Sequence, residues 1–268
     1  MSDIGQDRVA LIGASGWLGR AFGPAMLRQG VVAPGHLIAA NRSGAHPAYD
    51  DWPDLEWSTD PAVAAGRADI VILSVLPQDF RQMALDCRDR LVLSFMAGVS
   101  CAEIADSTGA ERIVRALPNA AAGIGRSYSP WFPTPDVTAR DRDIVAAILS
   151  SVGDADALPR EEDLAAATIL SGAGPAYAAL LADALLQAAR DHGLPEDIAR
   201  KSVEAMICDA PAMMAGQIEG ATQLVADYID YGGTTAAALS AAQDAGFQDA
   251  VRAAVTAGID RVNAMSRE

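Results

Sequence analysis

VALIGASGWLGRAFGPAMLRQG, Val9–Gly30, is the stretch whose reading decides the fold of this 268-residue chain. Its first part, Val9–Ala14, is continuous and apolar, as a strand buried on both faces must be. From Trp17 the apolar residues recur at helical spacing until Gly30 supplies a stop. Between strand and helix stand Gly13, Gly16 and Gly19, a GxxGxxG one residue wider than the common GxGxxG. A glycine turn at such a junction lets backbone N–H groups and the positive end of the helix meet a pyrophosphate. The stretch therefore predicts the first strand–helix unit of a dinucleotide-binding sheet.

Outward from it the alternation continues. Strand-like runs follow at His36–Asn41, at Asp69–Pro77 with a helix through Cys87, at Arg90–Gly98 and at Glu111–Asn119. Continuous Val/Ile/Leu strands between helices predict an α/β fold, a doubly wound parallel sheet covered on both faces. Beyond the LPREEDL segment nearly everything reads as helix, including the restart at Pro195 with Glu196 and Asp197 in its first turn. The boundary is expected near residues 155–163, giving a dinucleotide-binding domain over 1–158 and an all-helical domain over 159–268.

Composition narrows the function. The formal charge of −15 excludes nucleic acid and anionic membranes as expected partners, because both need a basic face. Cys87, Cys101 and Cys208 are widely spaced and suggest core thiols in a reducing, cytoplasmic setting. His36, His46 and His192 are isolated, so no metal site is expected. No cationic leader and no membrane-length apolar run stands out.

The second strand ends Ala40-Asn41-Arg42-Ser43, an arginine between hydrogen-bonding side chains where a carboxylate would receive a free 2′-hydroxyl. That pattern suits a 2′-phosphate, so NADPH is expected over NADH. Late in the chain, IDYGGTTAAAL (Ile229–Leu239) pairs two glycines with two threonines, either as a ligand-binding loop or as a turn with a threonine N-cap.

Five motifs in order carry a resemblance that runs nearly end to end: ADIVILSVLPQDF (Ala68–Phe80), LSFMAGVS (Leu93–Ser100), VRALPNAAAGIG (Val114–Gly125), ILSGAGPAYAALLADALLQAARDHGLP (Ile169–Pro195) and GGTT (Gly232–Thr235). The sequence resembles the pyrroline-5-carboxylate reductase family, within the broader 6-phosphogluconate/β-hydroxyacid dehydrogenase-like superfamily. The resemblance implies a Rossmann domain followed by an all-α dimerisation domain, in a homodimer that some members build into rings. It implies hydride transfer from a nicotinamide to a small cyclic imine at the junction between domains and subunits.

Position by position, the resemblance implies that Ile12, Gly13, Ala14, Ser15, Gly16, Trp17 and Leu18 wrap the pyrophosphate. Asn41, Arg42 and Ser43 would hold the adenosine ribose phosphate. Ser74, Val75, Leu76 and Pro77, with Phe95, Met96 and Ala97, would line the nicotinamide side. Asn119 and Ser171 would stand near the nicotinamide and the substrate. Gly232, Gly233 and Thr234 would hold the substrate carboxylate, and Thr235 would reach the ring nitrogen.

The chain also departs from the family's pattern. Leu76 stands where a lysine is usual, Ala173 replaces a serine of the SGSGPAY-like motif, and AAAG follows Asn119 in place of threonine-proline. Asp230-Tyr231 replaces serine-proline. An aspartate within 4 Å of a substrate carboxylate costs about 4 kcal/mol at an effective dielectric near 20. Asp230 and Tyr231 are thus expected either to face away or to serve an imine lacking the carboxylate, where the pair could stabilise or protonate the nitrogen.

Two other readings compete. A β-hydroxyacid dehydrogenase needs a lysine on an interdomain helix, and the lone lysine, Lys201, lies on a later one. A nucleotide-binding regulator without turnover is the reading from another class, motivated by the polar groups missing at Leu76 and Ala173.

Overall fold

The computed structural model describes residues 4–265, which form two compact units. One unit runs to Ala173 and takes up the chain again from Gly258; the other is Gly174–Ala257.

In the first unit six parallel strands, β1 (Val9–Ile12), β2 (Leu37–Ala40), β3 (Glu56–Ser58), β4 (Ile70–Leu73), β5 (Leu91–Ser94) and β6 (Arg112–Ala116), lie in the order β3-β2-β1-β4-β5-β6. That is the doubly wound order whose direction of winding reverses between β1 and β4. Two short strands, β7 (Ser127–Tyr128) and β9 (Gly153–Asp154), pair separately, and β8 (Trp131–Pro133) closes the main sheet antiparallel to β6. In β1 every residue is buried, and the pleat sends Val9 and Leu11 to one face, Ala10 and Ile12 to the other. The first face packs on Phe22 and Met26 of α1 (Trp17–Arg28) and Ile148 of α5 (Ala139–Ser150). The second packs on Ala64 of α2 (Pro61–Gly66), Phe80 of α3 (Pro77–Phe80) and Ile104 of α4 (Cys101–Thr108). Two apolar cores sandwich one sheet, as continuous apolar strands require.

The helix expected after the Asp69–Pro77 run is cut short. It ends at Phe80, and the following segment runs irregularly so that Leu85 and Cys87 can enter the core. Strand β3 has no strong apolar signal in its sequence, EWS; it exists because β2 offers it a paired edge.

The compact units do not divide where the sequence reading set its boundary, at 158/159. Residues 159–173 belong with the sheet unit, and the reason is polar as well as apolar. Glu161 Oε1 accepts the N–H of Cys101 at 2.8 Å and pairs with the buried Arg115 at 2.6 Å. On α6 (Asp163–Ala167) Leu164 is fully buried. A π-helical turn, Thr168–Gly172, follows it.

The second unit is all helix: α7 (Gly174–Asp191), α8 (Glu196–Glu204), α9 (Ala221–Tyr231), α10 (Gly233–Asp244) and the first turns of α11 (Phe247–Met265). Only Ala199 and Val203 of α8 are buried among the described residues of this unit, while Leu180 on α7 is 69% exposed. No single helix among the described residues is long and apolar enough to cross a membrane.

Candidate functional site

At the carboxyl ends of the strands, where the winding reverses, the first unit has a groove of about 1030 Å³. This is the crevice in which open α/β sheets bind their ligands. Its floor is the turn after β1. Gly13 adopts φ +90°, and a Cβ there would come within 2.1 Å of the Ser74 carbonyl oxygen, so the turn requires glycine. The N–H groups of Gly13 and Ala14 both donate to the Ala40 carbonyl, at 2.8 and 3.1 Å, which ties the loop to β2. Gly16 donates to Gly13 O at 2.9 Å and is the N-cap of α1, with no side-chain cap to occupy the free N–H groups beyond it. Those donors, and the positive helix end, are left for an anion.

The sequence-derived cofactor residues are brought together here. Ile12, Gly13, Ser15, Gly16, Trp17 and Leu18 line the groove, as do Asn41, Arg42 and Ser43 from the turn after β2. Ser74, Val75, Leu76 and Pro77 line it after β4, and Phe95, Met96 and Ala97 after β5. Ala14 is the exception: it is fully buried and serves the loop through its backbone.

At the second turn Asn41 Oδ1 accepts from the N–H of Ser43 at 2.8 Å and from its hydroxyl at 3.2 Å. Asn41 Nδ2, by contrast, is buried with no hydrogen-bond partner among the described residues. A buried donor left unmade is costly, and a ligand oxygen would satisfy it.

Thr59 and Pro61, after β3, and Met265, from the end of α11, also line the groove and were missed by sequence reasoning. The first two carried a legible helix-start signal, Asp60 followed by Pro61, whose carboxylate does cap Ala62 and Val63. Met265 carried none, because it arrives from the far end of the chain and packs on Gly98.

Asn119 and Ser171 also come together, outside the groove lining. Asn119 Nδ2 donates to the Ser171 carbonyl at 2.9 Å, and its Oδ1 accepts the N–H of Ala121 at 2.9 Å. The Ser171 hydroxyl donates to Ala167 O at 2.9 Å, within its own helix.

In the second unit, IDYGGTT is a break between two helices, with no extended loop. Asp230 and Tyr231 form the last turn of α9, and Tyr231 is 91% exposed. Gly232 and Gly233 both take φ +81°, and α10 begins at once with Thr234 and Thr235 in its first turn. The N-cap is Gly232, with no side-chain cap, so the threonines do not cap this helix. Their hydroxyls, and the first N–H groups of α10, are exposed.

Comparison with known proteins matches residues 161–265 to the family model described as pyrroline-5-carboxylate reductase dimerisation. The chain is 31% identical over 265 residues to the pyrroline-5-carboxylate reductase of Pseudomonas aeruginosa, covering 95% of each. This chain belongs to the pyrroline-5-carboxylate reductase family. Among solved structures it is similar to the pyrroline-5-carboxylate reductase of Coxiella burnetii, with 25% identity, a TM-score of 0.84 and coverage of 97% of this chain and 99% of that one. The fold is also that of the Plasmodium falciparum pyrroline carboxylate reductase solved with NADP bound, at 22% identity, a TM-score of 0.85 and coverage of 99% and 100%.

Family membership gives the helical unit its description as a dimerisation domain and makes the chain an oxidoreductase acting on C=N bonds. It also puts the departures in place. Leu76, where the family usually has lysine, is 58% exposed at the N-cap of α3 and turns an apolar side chain to the groove. Ala173 closes the π-helical turn just before α7 and offers no hydroxyl there.

Proposed function

We propose that this chain reduces the cyclic imine pyrroline-5-carboxylate to proline, with NADPH as the hydride donor. The observation that supports it best is the groove where the winding reverses. There, in a member of this family, a glycine turn with free N–H groups faces a buried, unpartnered Asn41 Nδ2 beside Arg42. A dinucleotide fits that donor set: the turn of Ile12–Leu18 for its pyrophosphate, Asn41–Ser43 for a 2′-phosphate, and Ser74–Pro77 with Met96 and Ala97 for the nicotinamide. Arg42 presents the charge that favours NADPH over NADH.

Bound NADPH supplies the hydride. The protein's own task is orientation and proton retention, because a protonated imine is already electrophilic. In this reading the Thr235 hydroxyl hydrogen-bonds the ring nitrogen. The uncapped N–H groups at the start of α10, from Gly233 and Thr234 onward, hold the carboxylate, helped by the helix dipole. The apolar faces of α7 and its neighbours are covered by a second copy, and the active form is a homodimer, with rings of dimers as the next level. Three cysteines without a disulfide between them support a reducing, cytoplasmic setting.

A second reading, a different imine without a carboxylate, is favoured by one observation. Asp230 and Tyr231 stand directly before Gly232, both exposed, where the family has serine-proline. The test is NADPH oxidation by the purified protein with pyrroline-5-carboxylate and with a non-carboxylated cyclic imine, each repeated with NADH. Turnover of the first substrate with NADPH preferred about tenfold or more is expected from one charge-assisted contact. Turnover of the second substrate alone would replace the first reading, and NADPH binding without oxidation would overturn both.

A further inference from the structure

Behind the phosphate loop stands a tyrosine that does not itself line the groove. Tyr49 lies in the turn Pro47–Tyr49 and is 2% exposed. Its hydroxyl is 2.7 Å from the carbonyl oxygen of Gly19 and 3.1 Å from that of Ala14. These two carbonyls bracket Ser15, Gly16, Trp17 and Leu18, which line the groove. A phenol has a single proton to donate, so one group is shared between the two ends of the loop.

The surroundings are built to admit it. Gly23, on α1 above Gly19, leaves room that a side chain would fill: a Cβ there would come within 2.1 Å of the Tyr49 oxygen. Trp57 on β3 meets the tyrosine ring edge-on at 5.2 Å and fixes its plane. Burial pushes the phenol well above its ordinary range, so it stays a neutral donor at any working pH.

We propose that Tyr49 is a positioning residue for the phosphate loop, setting the span from Ala14 to Gly19 so that the intervening N–H groups converge on a pyrophosphate. The one extra residue of GxxGxxG gives the need for it: a wider loop has more ways to collapse or splay, and a donor shared by its two ends removes them. The inference rests on the reading of the groove as a dinucleotide site.

The test is calorimetric titration of the full chain with NADPH and with adenosine 2′-monophosphate, which has the ribose phosphate but no pyrophosphate. Tyr49→Phe keeps the ring and removes the hydroxyl. It should weaken NADPH about fivefold to tenfold, the range for one hydrogen bond, and leave the monophosphate within about twofold. Gly23→Ala, which drives the tyrosine from its place, should give the same pattern. NADPH affinity unchanged in both variants, or an equal loss for both ligands, would overturn the proposal. Failure of the unmodified chain to bind NADPH would instead overturn the groove reading, and this one with it.

Discussion

Asn119 Nδ2 donates to the carbonyl oxygen of Ser171 at 2.9 Å, joining the turn after β6 to the π-helical turn that precedes α7. Both amide ends of Asn119 are engaged, one on Ser171 and one on Ala121. Its first duty in this structure is therefore to hold two segments together. Asn119→Asp replaces the donor with an acceptor facing a carbonyl and should cost about 1–3 kcal/mol of stability. Urea unfolding checks this; a midpoint equal to that of the unmodified chain would remove Asn119 from the structural frame.

Gly13→Ala strikes the turn itself. The backbone at φ +90° and the 2.1 Å approach to Ser74 O leave no place for a methyl group, and either β1 or β4 must give. Strain of about 1–3 kcal/mol is expected, with NADPH affinity lost by about a hundredfold as the turn opens. Calorimetry and thermal melts on the same sample separate the two effects.

The α9–α10 break carries a paired prediction. Thr235→Val keeps the shape and removes the hydroxyl; kcat should fall by about a hundredfold while NADPH affinity stays unchanged. Asp230→Ser restores the family's residue. Because Asp230 is exposed, solvent screens its charge, and kcat/KM for pyrroline-5-carboxylate should rise by about fivefold or less. A rise of a hundredfold would place the carboxylate of Asp230 against the substrate.

Asp141 supplies a pH dependence with a defined sign. Burial works against its charge, but hydrogen bonds from the Thr138 N–H and hydroxyl and from the Arg112 guanidinium outweigh it and hold the carboxyl below its usual range. A lowered folded-state pKa means stability that is present above the unfolded value, about 3.9, and lost as pH falls through the folded one. The Tm difference between the unmodified chain and Asp141→Asn should be constant from pH 7 to about pH 5 and begin to narrow below about pH 4. A gap undiminished at pH 3 would show that the capping box Thr138–Asp141 does not depend on the charge.

Most of the groove was legible because it hangs on one strand–turn–helix. Glycines at 13, 16 and 19 have few uses other than a tight turn, and Asn41-Arg42-Ser43 follows a strand whose apolar run is unmistakable. Less was legible at Asp230-Tyr231, where two adjacent glycines read as a loop. The structure shows an abrupt joint between α9 and α10, because each glycine takes one positive-φ step and no more chain is needed. Tyr49 went unnoticed for another reason. Nothing in HPAY distinguishes a buried donor from a surface tyrosine until the fold sets it under α1.

Taken by itself, the sequence determined the alternation of buried strands and helices, the glycine turn and the membership of a family, since these depend on periodicity and on residues within a few positions of one another. Only the tertiary structure decided which distant groups share one place: Tyr49 under Ala14 and Gly19, Glu161 between Cys101 and Arg115, Asn119 against Ser171, and Met265 at the groove. Hydrogen bonds and steric exclusion act over about three to four ångströms, whatever the separation along the chain. Local patterns can announce the elements, but the partners are known only once the sheet has brought them within that reach.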